Sequence, residues 1–89
     1  MDLKKKILLM IVDKLGLEDD VDVENFDYDT PLFDAENGLG LDSIDVLELY
    51  VGVKKEFGIK VPNEKRSIFK SVSTIFDYIS EVNGDEDEQ

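Results

Sequence analysis

Apolar residues recur at helical spacing in three separate stretches of this 89-residue chain. The first stripe consists of Leu8, Ile11, Val12 and Leu15. The second consists of Val46, Leu49, Tyr50, Val53 and Phe57, and the third of Val72, Ile75, Phe76 and Ile79. Spacings of three and four residues place each set on one face of an amphipathic helix. A chain of this length buries a single core. Since all three stripes have helical spacing, we predict an all-α fold around that core.

Start and stop signals set the bounds of the first two helices. Residues 3–15 are predicted as the first helix, with Asp2 as a candidate N-cap and Gly16 just beyond its C-terminus. Residues 43–57 are predicted as the second helix, because Gly58 follows the last apolar position of its stripe.

Two further capping signals lie in the second half of the chain. Asn63 can cap a short third helix that ends at Phe69. Ser71 or Ser73 can cap the fourth helix, which carries the last apolar stripe. The sequence therefore predicts three main helices and a shorter one.

A long acidic connection, residues 17–41, joins the first two helices. Its apolar side chains can pin it to the core: Val21, Val23, Phe26, Leu32 and Phe33. A loop this long is usually either functional or disordered. The apolar anchors favour an ordered loop. We see no internal repeat and predict one domain over residues 1–83, followed by an acidic, flexible tail over residues 84–89.

The charge balance limits the classes of partner. There are 22 acidic and 10 basic residues, which give a formal net charge of −12. This charge argues against nucleic acid and anionic membranes and favours proteins with basic patches. No stretch is long enough to span a membrane, and the apolar run 7–12 lacks the features of a signal peptide. We therefore expect a soluble, cytoplasmic protein, and the absence of cysteine is consistent with a reducing compartment. We also expect a monomer.

The absence of cysteine, histidine and tryptophan also limits the chemistry. Thiol nucleophiles, imidazole bases and the usual soft metal ligands are missing. A protein of this composition that handles reactive groups has to borrow the reactive atom.

Ser43 is the candidate functional residue, at the start of the second helix in the run Gly-Leu-Gly-Leu-Asp-Ser-Ile-Asp-Val-Leu-Glu-Leu, residues 38–49. The simplest interpretation is a helix cap, since Asp42 and Asp45 resemble an acidic capping box. The functional interpretation is that a phosphate on this hydroxyl would lie at a helix N-terminus, where the macrodipole and unpaired N–H groups favour an anion. Taken by itself, the position favours the cap.

The second helix also carries a second apolar stripe, formed by Ile44, Leu47 and Val51. It lies beside Asp45 and Glu48, well around the helix from the first stripe. An apolar strip with a charged rim is typical of a docking surface. A central helix buried on two sides would give the same pattern, and periodicity alone does not separate the two.

Two motifs complete the pattern: Leu-Gly-Leu-Asp-Ser-Ile-Asp at residues 39–45 and Glu-Phe-Gly-Ile-Lys-Val-Pro at residues 56–62. With Glu48 and the spacing of the four helices, they resemble the acyl carrier protein family over nearly the whole chain. The resemblance implies a four-helix up-and-down bundle with a long first loop and a short third helix. It also implies that Ser43 carries 4′-phosphopantetheine through a phosphodiester, and that the terminal thiol of this arm holds acyl groups as thioesters.

The same resemblance assigns the other site residues. The second helix would dock on partner enzymes through Asp42, Ile44, Asp45, Leu47, Glu48 and Val51. Ile59 and Val61 would lie near the arm or an acyl chain. The partners implied are a phosphopantetheinyl transferase and enzymes of the ketosynthase, acyltransferase or acyl-ligase type with basic docking patches.

The chain departs from the family pattern in several places. Ile44 follows the serine where leucine is commonest, and the approach over residues 31–38 is longer than in the fatty acid carriers. Basic residues also interrupt the acidic face of the second helix and enter the third: Lys54, Lys55, Lys65 and Arg66. These differences leave the serine motif intact. The general function expected is to carry acyl intermediates of fatty acid, polyketide-like or lipid-modifying biosynthesis, and the differences favour a specialised carrier, for a polyketide-like, polyene or lipid-modifying pathway, over a housekeeping fatty acid carrier.

Other classes of function fit less well. The first alternative is an acidic helical module that binds a basic protein and is never modified. Calcium binding by the acidic loop is disfavoured, because Pro31 or Leu39 would fall at unsuitable positions of an EF-hand register. Catalysis is disfavoured too, since Asp45 and Glu48 have no partner base in the chain.

Overall fold

The computed structural model describes residues 2–87, with side chains as far as Val82. Within this range all the regular secondary structure is helical, and there is no strand. The elements are α1 (Leu3–Leu15), α2 (Ser43–Phe57), a 3₁₀ helix (Asn63–Lys70) and α3 (Val72–Asp87). Helix α1 packs against both α2 and α3, and the 3₁₀ helix packs against α3. The prediction of an all-α, four-helix bundle with a long first loop and a short third helix is confirmed.

The bounds of α1 and α2 agree with the predicted ones, because both helices end at a glycine. Gly16 and Gly58 have φ of 64° and 69°, and their N–H groups bond the carbonyls of Val12 and Lys54. Only glycine enters this left-handed region without steric cost. Asp2 stands at the N-cap of α1 as predicted, but its side chain makes no capping hydrogen bond.

The core collects side chains from all four helices and from the long loop. Ten side chains are fully buried: Ile7, Leu8, Ile11, Leu32, Leu49, Val53, Phe69, Val72, Ile75 and Ile79. Burial of each large apolar side chain contributes about 1.5–3 kcal/mol. The rings of Tyr50 and Phe69 meet edge to face with centroids 5.0 Å apart, which ties the 3₁₀ helix to α2.

Main-chain hydrogen bonds fix the long loop between α1 and α2. The N–H of Leu32 bonds the carbonyl of Lys70 at 2.8 Å, and the N–H of Leu41 bonds the carbonyl of Leu32 at 3.0 Å. The N–H of Ser73 bonds the carbonyl of Tyr28 at 3.0 Å. The loop is therefore ordered and attached to both ends of the junction between the 3₁₀ helix and α3.

Four of the five predicted anchors of the loop do pack inward. Val21 and Leu32 are buried, while Val23 and Phe26 are half-buried against the core. Phe33 is the exception, since its side chain is 36% exposed. The prediction that Phe33 pins the loop is therefore wrong. Of the two neighbours Leu32 and Phe33, only Leu32 is buried in the core.

The third helix, Asn63–Lys70, extends one residue further at each end than predicted. It is a 3₁₀ helix, with Lys65 outside helical geometry at φ −101° and ψ 18°. Pro62 occupies the N-cap and Asn63 is the first helical residue, so the predicted cap by Asn63 is wrong by one position. Proline fixes φ near the value required at such a start but offers no side-chain acceptor.

Ser71 rather than Ser73 caps α3. Its Oγ accepts a hydrogen bond from the N–H of Thr74 at 3.2 Å, and the Oγ1 of Thr74 accepts one from the N–H of Ser71 at 2.9 Å. Helix α3 then continues to Asp87, beyond the predicted boundary at residue 83, because no proline or left-handed glycine interrupts it. Residues 88 and 89 of the predicted tail lie outside the described residues, and the flexibility of the tail stays a prediction.

The fold leaves most of its acidic charge uncompensated. No basic residue lies between Lys14 and Lys54, a stretch that holds twelve carboxylates. Among the described side chains the one ion pair joins Lys5 to Glu24 at 2.9 Å, and neither residue belongs to α2. These twelve carboxylates are held closer together in the folded molecule than in the expanded chain. They therefore repel one another more strongly in the folded state.

We expect added salt to stabilise the protein. Screening acts over a Debye length of about 10 Å at about 0.1 M salt and relieves repulsion between exposed carboxylates. The urea midpoint should rise between low and moderate NaCl concentrations at neutral pH. A flat or falling midpoint would mean that the six basic residues between positions 54 and 70 already neutralise the carboxylates that lie between Lys14 and Lys54.

Candidate functional site

A tight turn centred on Asp34 leads the chain towards α2. One carboxylate oxygen of Asp34 accepts hydrogen bonds from the N–H groups of Glu36 at 2.8 Å and Asn37 at 3.2 Å. Its main-chain carbonyl accepts from the N–H groups of Gly38 at 2.9 Å and Gly40 at 3.2 Å. The bond from the Glu36 N–H is the largest cause that lowers the pKa of Asp34, followed by those from Asn37. The stabilisation by this carboxylate is present above its ordinary pKa and is lost as the pH falls through the lowered value.

Two glycines of this approach are required for different reasons. A Cβ added to Gly38 would lie 1.5 Å from the carbonyl oxygen of Pro31, so the two backbone segments touch directly. A Cβ added to Gly40 would make only ordinary contacts, the nearest with the Cα of Ala35 at 3.5 Å, but Gly40 adopts φ of 65°, a conformation that other residues rarely enter. The glycine-rich approach therefore follows from backbone geometry.

The N-terminus of α2 is closed by a complete capping box, as the sequence predicts. Asp42 accepts hydrogen bonds from the N–H groups of Ile44 and Asp45, each at 3.0 Å. Asp45 in turn accepts from the N–H of Asp42 at 3.0 Å. Asp42 is thus the cap, and the interpretation of Ser43 as a capping residue is wrong. Two of the N–H groups expected to be free for an anion are taken by Asp42.

Ser43 is the first residue of α2, and its side chain is exposed. Its Oγ accepts one hydrogen bond, from a guanidinium nitrogen of Arg66 at 3.4 Å. Clefts of about 580 Å³ and about 260 Å³ lie beside it, and both are lined by Ser43, Val46 and Arg66. The chain contains no histidine, so no imidazole base lies beside the hydroxyl.

The second apolar stripe of α2 faces solvent. The side chains of Ile44, Leu47 and Val51 are 71%, 61% and 56% exposed. Glu48 is exposed beside them, and Asp45 is half-buried in the capping box. A helix buried on two sides is thereby excluded. The apolar strip with an acidic rim is present, while its role in docking stays a prediction.

The two residues expected near the arm or an acyl chain lie deeper than α2's exposed strip. Ile59 and Val61 are each 6% exposed and belong to the core. Val61 also lines a cleft of about 350 Å³ together with Leu47, Tyr50 and Val51. Ile59 lines none of these three clefts beside α2, and its role as an arm contact stays a prediction.

Three residues beside Ser43 were not identified from the sequence. Phe33 and Lys70 line the larger cleft, and Arg66 lines both clefts next to the serine. Tyr50, predicted only as a core residue, lines the smaller clefts, and its buried hydroxyl has no hydrogen-bond partner among the described residues. No sequence signal placed them at the site: Phe33 was predicted as a core anchor, and Arg66 was noted only as a basic residue of the third helix.

Comparison with known proteins identifies the class to which the fold and the serine belong. A family model described as the phosphopantetheine attachment site matches residues 5–79. An acyl carrier protein of Porphyromonas gingivalis is 31% identical over 78 residues, which cover 88% of this chain and 91% of the relative. An acyl carrier protein of Zymomonas mobilis is 31% identical over 80 residues, covering 90% and 94%.

This chain therefore belongs to the acyl carrier protein family, and the predicted resemblance is confirmed. Members of the family are carriers rather than enzymes, and the cofactor is covalently attached 4′-phosphopantetheine. Among the described residues, no helix is long and apolar enough to cross a membrane. The same part of the chain holds no group of three or more carboxylates arranged to bind a metal ion.

Proposed function

We propose that Ser43 is the attachment residue and that the chain carries acyl intermediates of fatty acid, polyketide-like or lipid-modifying biosynthesis. One observation carries the proposal: the Ser43 hydroxyl is exposed at the start of α2 and takes no part in the capping box. The site fits the cofactor, because clefts open on both sides of the hydroxyl and a guanidinium lies within hydrogen-bond distance.

The chemistry divides between the carrier and its partners. Ser43 offers a primary hydroxyl, and a phosphopantetheinyl transferase supplies the base and binds Mg²⁺ and coenzyme A. The serine oxygen would form a bond to the phosphorus on the pantetheine side of coenzyme A while the base takes the serine proton. The pyrophosphate P–O bond would break, and adenosine 3′,5′-bisphosphate would leave. Once attached, the arm supplies a terminal thiol that holds acyl groups as thioesters. The carrier itself positions the hydroxyl through the Asp42 cap and the tight approach of Gly38.

An intact-mass measurement tests the proposal. Incubation with a phosphopantetheinyl transferase, coenzyme A and Mg²⁺ should add the mass of one phosphopantetheine, and peptide mapping should find it on Ser43. A protein that folds but takes up no label would support the other class of function, an unmodified acidic module that binds a basic protein.

The exposed strip of α2 supports a docking role. We define the docking strip as Ile44, Leu47 and Val51 with the carboxylates of Asp42, Asp45 and Glu48. Its apolar centre and acidic rim complement an enzyme surface with an apolar groove between basic residues. The partners proposed are the transferase and enzymes of the ketosynthase, acyltransferase or acyl-ligase type.

The charge pattern supports a partner set distinct from that of a housekeeping fatty acid carrier. The C-terminal end of α2 exposes Lys54 and Lys55, and the 3₁₀ helix exposes Lys65 and Arg66. Enzymes that bind a uniformly acidic helix would meet like charges at these positions. Mismatched charge disfavours a wrong partner as effectively as contacts favour the right one.

Charge reversal on α2 should therefore have opposite effects on the two kinds of enzyme. Glu48→Lys should slow acyl transfer by the true partner several-fold, since a rim charge acts mainly on the association rate. Lys54→Glu combined with Lys55→Glu should speed transfer by general fatty acid synthesis enzymes. Rates are compared with the holo proteins at one fixed ionic strength.

Glu56→Lys is the matched control for this comparison. It makes the same charge change on the same helix, at an exposed position outside the docking strip. Equal losses for Glu48→Lys and Glu56→Lys would show that only net charge matters. Unchanged rates for the double glutamate variant would show that the lysines do not select the pathway.

A further inference from the structure

We propose that Arg66 is a positioning residue that holds the phosphodiester formed on Ser43 and so ties the 3₁₀ helix to the modified end of α2. This inference rests on the proposed attachment at Ser43. It concerns a residue 23 positions away in the sequence, whose guanidinium nitrogen already lies 3.4 Å from the Ser43 Oγ.

The guanidinium is available for a new anion. Among the side chains described, no carboxylate forms an ion pair with Arg66, and the single pair found joins Lys5 to Glu24. Arg66 is exposed and is the one arginine of the chain. Its planar fork of N–H donors matches two phosphate oxygens at once, which a lysine ammonium does not do.

The helix end alone leaves few donors for a phosphate at this position. Asp42 already accepts from the N–H groups of Ile44 and Asp45, which removes two of the groups that a bare helix N-terminus would offer. The carboxylates of Asp42 and Asp45 also repel a second anion. The macrodipole stays favourable but is only a partial charge, so a side-chain cation has to supply the main attraction.

Arg66 is placed to reach a phosphate on either side of the serine. It lines both the cleft of about 580 Å³ and the cleft of about 260 Å³ that flank Ser43. Lys70 lines the larger cleft as a second cation. Arg66 would hold a phosphodiester formed on Oγ, since its guanidinium already bonds that oxygen atom.

Nuclear magnetic resonance of ¹⁵N-labelled apo and holo protein tests the inference directly. Because the chain has one arginine, its spectrum contains a single arginine Nε–H signal, and the holo protein contains a single phosphorus. In the holo form the Nε–H signal should move and exchange more slowly with solvent. The ³¹P signal of holo Arg66→Gln should differ from that of the holo wild type.

Lys65→Gln is the matched control, since it removes one positive charge from the adjacent, exposed position. Lys65 borders a different cleft, away from Ser43. The urea midpoint should rise on conversion from apo to holo in the wild type and in Lys65→Gln, and this rise should be lost in Arg66→Gln. An equal rise in all three proteins would overturn the inference.

The outcomes separate this inference from the proposed function. Absence of any added mass or phosphorus signal would refute attachment at Ser43. A protein that is fully modified but has the same arginine signal in its apo and holo forms would refute the role of Arg66 alone. If Arg66→Gln is not modified at all, the arginine Nε–H signals of apo and holo wild-type protein still test the role of Arg66.

Discussion

Replacement of Ser43 by alanine is expected to leave a folded protein that takes up no phosphopantetheine. The loss should be complete, because no other hydroxyl stands at the start of α2. The fold should persist because Asp42, not Ser43, caps the helix. We expect the free energy of unfolding to change by no more than about 0.5 kcal/mol, as for most exposed substitutions.

Ser67→Ala provides the control for this prediction. Ser67 is also exposed and lines the same cleft of about 580 Å³, so it tests whether any nearby hydroxyl is sufficient. Intact-mass spectra should show one added group on Ser67→Ala and none on Ser43→Ala. Label on the Ser43→Ala protein would refute the attachment site, whatever its level.

The second large effect is expected from Gly38→Ala. The new methyl group would lie 1.5 Å from the carbonyl oxygen of Pro31, which is backbone and cannot rotate away. The approach loop would have to shift, and overpacking of this kind costs about 1–3 kcal/mol or more. The urea midpoint should fall accordingly, and loading of Ser43 should slow because the loop precedes the start of α2.

Glu36→Ala is the comparison within the same turn. Its side chain is exposed, and only its main-chain N–H takes part in the turn around Asp34. We expect its unfolding free energy to stay within about 0.5 kcal/mol of the wild type. If Gly38→Ala were equally harmless, the close approach to Pro31 would not constrain the loop.

Features set by neighbours in the sequence were predicted well. Helices α1 and α2 begin and end where their periodicity and glycines indicated, since caps act over one turn. The capping box of Asp42 and Asp45 is likewise local. The predicted bounds of the third helix were each wrong by one residue, and at its start the reason is that Pro62 rather than Asn63 occupies the N-cap.

Features that depend on distant contacts were beyond the sequence. Whether Ile44 and Leu47 face solvent or a second layer depends on how the other helices pack, and periodicity is the same in both cases. The approach of Arg66 to Ser43 depends on the junction between the 3₁₀ helix and the loop. From the sequence, Arg66 was noted only as a basic residue that departs from the family pattern.

The two backbone hydrogen bonds at Leu32 link the parts of the site into one unit. Leu32 donates to the carbonyl of Lys70 at the end of the 3₁₀ helix and accepts from Leu41, two residues before Ser43. Local unfolding tends to involve such connected segments together. Amide hydrogen exchange at Leu32 and Leu41 therefore reports on both sides of the serine, and a short peptide containing only residues 38–49 would retain the motif without the segment that completes its surroundings.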